Sequence, residues 1–233
     1  MSTTPKDVLE RARQAPKFYG RRMGRPMSTL RKSFLSQMLE RFQIILPEKP
    51  LENLHELIPD AQAFELEIGF GGGEHLVAHA VKNPHNGYIG VEAFMNGVSS
   101  IMKLIDAQKI SNIRVFPHDV RQLFPYLPSE SFQRIYVLFP DPWPKTKHHK
   151  RRLINETFLK EVYRLLKAGG ELRIASDHAD YIDWVQELLL RTPEFTWLNQ
   201  ESCDQRPDDW CQTRYEEKAL EKGIPCIYMR FAK

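Results

Sequence analysis

The sequence predicts an α/β protein whose core is a doubly wound, mostly parallel β-sheet. Short apolar runs alternate with segments of helical periodicity from residue 63 onwards, which is the pattern of successive βαβ units. A glycine-rich stretch, residues 69–73, directly follows the first apolar run. The chain has 233 residues, 42% hydrophobic and 27% charged, as in an ordinary globular protein. One large domain is therefore expected, with its ligand at the carboxyl ends of the strands.

The elements follow in order from the spacing of the apolar residues. Apolar runs predict strands at residues 63–68, 88–91, 112–116, 134–139 and 171–176. Helical spacing predicts helices at residues 74–81, 94–105, 154–166 and 181–190. Gly169 and Gly170 are expected to end the third of these helices, since glycine readily adopts left-handed backbone angles. Residues 195–198 and 226–231 are expected to pair as a closing hairpin.

Composition excludes several other classes. No apolar run approaches the roughly 20 residues that span a bilayer, and the basic N-terminus lacks the apolar core of a signal peptide. The cysteines, Cys203, Cys211 and Cys226, are odd in number and lack CxxC spacing, which argues against a disulfide framework and a zinc site. A cytoplasmic protein without a bound metal is therefore expected.

Positive charge is concentrated at the N-terminus. Residues 1–32 carry nine Lys or Arg and two acids, a net charge of +7, whereas the whole chain carries +3. This stretch has few large apolar residues to offset the entropy of ordering it, so residues 1–33 are predicted to form a disordered basic arm. The arm is either a solubilising tail or a segment that engages phosphates, and its composition does not choose between them.

The glycine turn argues against a dinucleotide ligand. The fingerprint GxGxxG that begins at Gly69 would need a third glycine where this chain has Glu74. A carboxylate at the start of that helix would repel a pyrophosphate, so a nicotinamide dehydrogenase is the least favoured class. The turn instead favours a nucleoside ligand without phosphates. S-adenosylmethionine, with its adenosine and cationic sulfonium, is such a ligand.

Acidic residues follow successive predicted strands, where that ligand would lie. Glu92 can accept hydrogen bonds from both ribose hydroxyls, and Asp119 from an adenine amino group. Asp141 follows the fourth strand. Taken alone, each would be interpreted as a loop carboxylate or a helix cap, but three at successive strand ends favour a site. Glu67 lies inside the first strand, where cofactor contact and a buried structural role are both consistent with its position.

A proline-rich turn after the fourth strand is the most specific stretch. It reads Phe139-Pro140-Asp141-Pro142-Trp143-Pro144-Lys145, and its prolines fix the backbone. Asp141 can accept from the N1/N2 edge of a guanine, and Lys145 can contact a phosphate or a base. Trp143 is either a stacking platform or a packed aromatic.

A basic run overlaps the end of this turn. Residues 145–152 hold five fixed positive charges, which favours polyanion binding over a localisation signal or a solvated helix start.

Two further groups stand at predicted strand or helix ends. Asp177 follows the fifth strand, either as a site residue or as the cap of the next helix. Thr213 and Glu216 have capping-box spacing, which leaves Arg214 and Tyr215 between them without a structural explanation.

Three motifs together resemble the bacterial tRNA (guanine-N7-)-methyltransferases over about residues 34–233. The motifs are Leu66-Glu67-Ile68-Gly69-Phe70-Gly71, Phe139-Pro140-Asp141-Pro142-Trp143 and Thr213-Arg214-Tyr215-Glu216. The resemblance implies a Rossmann-like class I methyltransferase domain with seven strands, the last reversed, that methylates guanosine 46 in the variable loop of tRNA. The enzyme is expected to act as a monomer or homodimer.

The resemblance also implies a role for individual residues. S-adenosylmethionine contacts are implied for Glu67, Gly69, Gly71, Glu92, Asp119 and Asp141, of which Asp141 is the candidate catalytic residue. Substrate contacts are implied for Lys145, Asp177, Thr213, Arg214, Tyr215 and Glu216. RNA contacts are implied for Thr146, Lys147, His148, His149, Lys150, Arg151 and Arg152. Two rival functions stay open, namely methylation of another RNA base or an amine, and non-catalytic RNA binding by a degenerate domain.

Overall fold

A computed structural model describes residues 18–233, and these residues form a seven-stranded sheet. The strands are β1 (Phe64–Ile68), β2 (Gly87–Val91), β3 (Ile113–Phe116), β4 (Phe132–Leu138), β5 (Leu166–Ser176), β6 (Thr196–Trp197) and β7 (Ile227–Ala232). Their order is β3-β2-β1-β4-β5-β7-β6. Strands β1 to β5 are parallel, and β7 is antiparallel to both β5 and β6. The predicted parallel sheet, reversed last strand and closing pair are confirmed.

Helices cover both faces of the sheet. They are α1 (Thr29–Phe42), α2 (Glu74–Lys82), α3 (Met95–Gln108), α4 (Val120–Leu123), α5 (Glu156–Leu165), α6 (Ala179–Leu190) and α7 (Arg214–Glu221), with short 3₁₀ turns at Leu54–Glu56, Phe124–Tyr126, Thr146–Arg151 and Gln200–Ser202. Apolar residues of α4, α5 and α6 pack on one face of the sheet. Those of α1, α2, α3 and α7 pack on the other. Strands β1 and β2 are buried throughout, because a parallel sheet covered on both faces shields both sides of its central strands.

The two glycines expected to end the third predicted helix lie instead inside β5. Helix α5 ends at Leu165, and Leu166 already pairs with Phe132 of β4. The pairing then shifts register, so that Glu171 is the next residue of β5 to face β4. Gly169 takes a left-handed φ of +73° within this irregular stretch. The glycines therefore allow a bulge in the strand and do not end a helix.

The structure differs from the predicted disordered arm from residue 18 onwards. Helix α1 begins at Thr29, with the Ser28 hydroxyl accepting a hydrogen bond from the Arg31 backbone amide. Residues 18–28, here called the strap, run along the start of α3. The Asn96 side chain accepts from the Gly24 amide at 2.8 Å and donates to the Arg25 carbonyl at 3.1 Å. Hydrogen bonds hold the strap in place, and a prediction based only on apolar surface does not take them into account. Residues 1–17 lie outside the described residues.

Candidate active site

A cleft of about 390 Å³ opens at the carboxyl ends of β1, β2, β3 and β4. This is the position at which parallel α/β sheets bind ligands, because strand ends and helix starts converge there. Segments far apart in sequence form its wall, namely the strand-end loops, the end of the basic run, the first turn of α7 and the strap. The lining residues include Phe18, Tyr19, Arg21, Gly69, Gly71, Glu92, Asp119, Arg121, Asp141, Trp143, Arg151 and Tyr215.

The glycine turn after β1 gives this cleft its backbone floor. Gly69 has a φ of +78°, which is open to glycine and unfavourable for a residue with a side chain. A Cβ built on Gly73 would lie 2.5 Å from Ile101, so this position also allows α2 and α3 to approach. The turn therefore brings backbone close to the cleft without side chains in the way.

Glu92 ties the glycine turn to the start of α3. Its Oε2 atom accepts the Gly71 amide at 2.9 Å, and its Oε1 atom accepts the Phe94 amide at 2.8 Å. Burial raises the pKa of this carboxyl, and the two backbone bonds partly oppose that rise. Each carboxylate oxygen can accept a second bond, so the group can shape the turn and still bind a ligand in the cleft.

Asp119 combines a structural role with a place in the cleft. Its carboxylate caps α4 by accepting the Arg121 amide at 3.0 Å. The Arg121 side chain also pairs with it, with the Nε atom 2.9 and 3.0 Å from the two carboxylate oxygens. The side chain of Asp119 is 6% exposed, so this pairing compensates most of its charge where the cleft would otherwise hold a bare carboxylate.

Asp141 stands at the mouth of the cleft on a strained turn. Phe139 and Trp143, on either side of it, have φ values of +50° and +44°, in the left-handed region that residues with side chains rarely occupy. Asp141 itself is exposed, yet desolvation by the cleft wall raises the pKa of its carboxyl. Desolvation against the cleft wall likewise raises the pKa of the Tyr215 phenol, and Glu92 and Asp141 add to that rise.

An aromatic and cationic stack closes one side of the cleft. The Arg151 guanidinium lies 4.8 Å from the ring centroid of Tyr19 and 4.9 Å from that of Trp143. The stack joins the strap, the proline-rich turn and the basic run, and separations of this size favour cation–π attraction. Strap residues in the cleft wall were missed at the sequence level, where the arm was judged by its charge and by its few large apolar residues. The adjacent aromatics Phe18 and Tyr19 before a Gly-Arg-Arg stretch are the signal that could have found them.

Comparison with known proteins places the chain in a family. A family described as a putative methyltransferase matches residues 61–229. A tRNA (guanine-N(7)-)-methyltransferase of Rhodospirillum rubrum is 43% identical, over 96% of this chain and 90% of that protein. A protein of the same name from Agrobacterium fabrum is 38% identical, over 96% of this chain and 97% of its own. The chain belongs to the tRNA (guanine-N7-)-methyltransferase family.

Solved structures share the fold of this methyltransferase family member at low identity. An antibiotic related methyltransferase superposes with a TM-score of 0.54 and 19% identity, covering 77% of this chain and 92% of its own. An rRNA methylase from Streptococcus thermophilus gives a TM-score of 0.51 and 12% identity, covering 90% and 99%. These similarities and the strand order confirm the predicted class I methyltransferase fold.

Three residues predicted to contact ligands are buried away from the cleft. Glu67 is 2% exposed and pairs with His75 in the first turn of α2, Oε2 to Nδ1 at 2.8 Å. Glu216 is fully buried and accepts the Tyr228 hydroxyl at 2.6 Å, besides forming the expected capping box with Thr213. Arg152 is 3% exposed, unlike the rest of the basic run, so its burial does not suit contact with RNA. Each of the three side chains is already hydrogen-bonded to a group of the protein, namely Glu67 to His75, Glu216 to Tyr228, and Arg152 to the Pro142 carbonyl and Asp180.

The remaining predicted residues lie on the surface around the cleft. Asp177 is exposed after β5, and the N-cap residue of α6 is His178, so Asp177 does not cap that helix. Arg214 and Tyr215 are exposed on α7, and only Tyr215 of the two lines the cleft. The exposed residues of the basic region are Lys145, Thr146, Lys147 and Lys150, with His148, His149 and Arg151 half-buried.

Within residues 18–233, no helix is long and apolar enough to cross a bilayer, and no three metal-ligating side chains converge.

Proposed function

We propose that this chain transfers a methyl group from S-adenosylmethionine to N7 of a guanosine in tRNA. The observation that carries the proposal is the junction of an acid-lined cleft with a basic surface. Glu92, Asp119 and Asp141 face the cleft, and Arg151, half-buried in the cleft wall, belongs to the basic run whose Lys147 and Lys150 are exposed. By the resemblance of its motifs, the target is guanosine 46 in the variable loop.

The residues of the cleft suit this cofactor. The carboxylates of Glu92 and Asp119 are acceptors for ribose hydroxyls and an adenine amino group, and the negative charge of Glu92 suits a cationic cofactor better than a pyrophosphate. Gly69 adds an open approach, since a Cβ built on it would meet nothing within 4 Å. S-adenosylmethionine supplies an electrophilic methyl group when it is bound.

The chemistry at guanine N7 asks the protein for orientation more than for proton transfer. N7 carries a free lone pair, so no base has to remove a proton before attack. Asp141 can hold the N1/N2 edge of the guanine, and favourable orientation can supply about 7–11 kcal/mol. The methylated ring is cationic, so the Asp141 carboxylate also stabilises the charge that develops on it.

The basic surface supplies the affinity for tRNA. Lys147 and Lys150 are exposed on the 3₁₀ turn that follows the proline-rich turn. Each lysine that neutralises a phosphate releases counterions, so binding should weaken steeply as salt rises.

The test is methyl transfer to unmodified tRNA with the modified nucleoside identified. Labelled N7-methylguanosine should form in an unmodified tRNA transcript of wild-type sequence and not in a transcript whose guanosine 46 is replaced by adenosine. Asp141→Asn should lower turnover about 10²–10³-fold, as for loss of one transition-state contact, with tRNA binding little changed. Asp183→Asn, an exposed carboxylate on α6, is the matched control and should leave turnover intact.

Three results would contradict the proposal. An amine product would support the rival methyltransferase. Failure of calorimetry to detect S-adenosylmethionine binding would support the non-catalytic RNA-binding subunit. Near-normal turnover of the Asp141 variant would remove this residue from the reaction.

A further inference from the structure

The last residue of the basic run differs from its neighbours in where its side chain lies. The Arg152 side chain is 1% exposed, whereas Lys150, two residues earlier, is open to solvent. A buried guanidinium needs partners for its donors, and a side chain with so little exposed surface cannot reach a phosphate. Its position in a basic run is therefore a poor guide to what it does.

Arg152 joins two elements that border the cleft. Its Nε atom donates to the Pro142 carbonyl at 3.0 Å, and its Nη2 atom donates to the Asp180 carboxylate in the first turn of α6. Its guanidinium also lies 5.4 and 5.3 Å from the ring centroids of Tyr181 and Trp184 of the same helix. The guanidinium group thus links the proline-rich turn to α6 through two hydrogen bonds and two aromatic contacts.

The proline-rich turn needs such a link. Phe139 and Trp143 both hold left-handed backbone angles, which cost conformational energy and persist only where surrounding groups enforce them. Pro142, whose carbonyl Arg152 binds, lies between Asp141 and Trp143. A bond to this carbonyl therefore acts directly on the residues that present the Asp141 carboxylate and the Trp143 ring to the cleft.

We propose that Arg152 is a positioning residue that fixes the turn of residues 139–143, and that it does not contact RNA. The inference rests on the proposed function, because the turn carries the candidate catalytic Asp141. Lysine cannot replace arginine here, since it lacks the planar fork that bonds a carbonyl and a carboxylate at once and stacks on rings. Asp180 is the other half of the link, and the hydrogen bond from Arg152 lowers the pKa of its carboxyl.

The decisive variants are Arg152→Lys, which keeps the charge, and Asp180→Asn, which keeps the arginine. If Arg152 positions the turn, Arg152→Lys should lower kcat by about 10²-fold, the cost of misplacing a reacting group, with the tRNA Kd and its salt dependence unchanged. Asp180→Asn should lower kcat in the same direction by a smaller factor.

The opposite results are expected if Arg152 contacts RNA. Arg152→Lys would then keep kcat. Asp180→Asn, which removes a negative charge beside the basic run, would leave tRNA binding unchanged or tighten it without loss of kcat.

Control variants calibrate both outcomes. Lys150→Gln should raise the KM for tRNA and reduce its salt slope by about one, which is the signature of a lost phosphate contact. Arg191→Lys alters an exposed arginine paired with Glu187 at the far end of α6, and should change neither kcat nor the salt slope. The inference is overturned if Arg152→Lys behaves like Lys150→Gln or like Arg191→Lys.

A measurement independent of methyl transfer separates this inference from the proposed function. Hydrogen exchange should quicken in the peptide that holds residues 139–145 in both Arg152→Lys and Asp180→Asn, and stay as in wild type in Lys150→Gln. Unchanged exchange in both link variants would overturn the positioning role. Faster exchange in a protein that methylates no guanosine would contradict the proposed function and leave the link intact.

Discussion

Replacing Glu92 by glutamine perturbs the cleft at the group that both shapes it and faces a ligand. The wild-type carboxylate accepts the Gly71 and Phe94 amides at 2.9 and 2.8 Å, one on each oxygen. Glutamine keeps a single oxygen and turns an NH₂ group towards the other amide. One backbone donor therefore loses its acceptor, and the site loses its negative charge.

The size of the effect on cofactor binding follows from the bonds that are lost. Hydrogen bonds to a charged group contribute about 1.5–3 kcal/mol each, and glutamine keeps one of the two acceptor oxygens, so losing one of the two proposed bonds to ribose hydroxyls costs about 1.5–3 kcal/mol. At about 1.4 kcal/mol for each factor of ten, the Kd should rise about 10–10²-fold.

The effect on folding should be much smaller, because two contributions oppose one another. Burial raises the pKa of Glu92, so above that pKa its ionised form costs folding free energy, and the neutral side chain removes this cost. The lost backbone hydrogen bond acts in the other direction. We expect the free energy of unfolding to change by no more than about 1.5 kcal/mol.

Isothermal calorimetry with S-adenosylmethionine, alongside denaturant unfolding, measures both quantities. Glu74→Gln is the matched control, since Glu74 stands in the first turn of α2 and does not line the cleft. It should bind the cofactor within about threefold of wild type, equivalent to less than about 0.7 kcal/mol. The reasoning is refuted if Glu92→Gln binds equally well, or if Glu74→Gln weakens binding as much as Glu92→Gln does.

Two further predictions concern the strap and pH. Asn96→Ala removes the side chain that bonds Gly24 and Arg25, so hydrogen exchange in residues 18–28 should quicken and the cofactor Kd should rise; unchanged exchange would show that other contacts hold the strap. Burial raises the pKa values of Glu92 and Asp141, so these carboxyls take up protons at higher pH than free carboxyls and lose their charge earlier on acidification. On acidification, the cofactor affinity measured by calorimetry should therefore begin to fall at a higher pH than it would if the pKa values of these carboxyls were ordinary. Asp141→Asn should make part of that decrease disappear. A midpoint of the decrease within the ordinary carboxyl range would contradict the prediction.

The spacing of apolar residues predicted the sheet well, because strands that are buried on both faces of a sheet appear in the sequence as short continuous apolar runs. The last four residues of β4, residues 135–138, are all apolar and buried, as expected for a parallel strand covered by helices on both faces. The glycines of β5 were misassigned because glycine marks left-handed angles wherever they occur. Whether such an angle ends a helix or relieves a bulge depends on the partner strand, here Phe132 of β4.

Part of the candidate site was predicted from the sequence, and part depends on contacts between segments that are far apart in the sequence. Glu92, Asp119 and Asp141 were predicted together because the carboxyl ends of parallel strands meet at one edge. The strap was missed because its order comes from hydrogen bonds to Asn96 and from the stack on Arg151, partners far away in sequence. A composition argument weighs a segment against its own apolar surface and is blind to such partners.

The sequence by itself determined which kinds of residue follow the strands and in what order. These are a glycine turn, acids at successive strand ends, a rigid proline-rich turn and a basic run after that turn. These are properties of residue type and spacing, which backbone geometry translates directly into position along a strand or loop. Only the tertiary structure decided which members of a run face solvent and which face inwards. Lys150 and Arg152 are indistinguishable by charge, yet one is open to a phosphate and the other is enclosed by Asp180, Trp184 and the Pro142 carbonyl. The physical reason is that Arg152 directly follows a six-residue 3₁₀ turn, which is too short for the sequence pattern to show which side chains are buried, so the burial of Arg152 is set by α6, which packs against it.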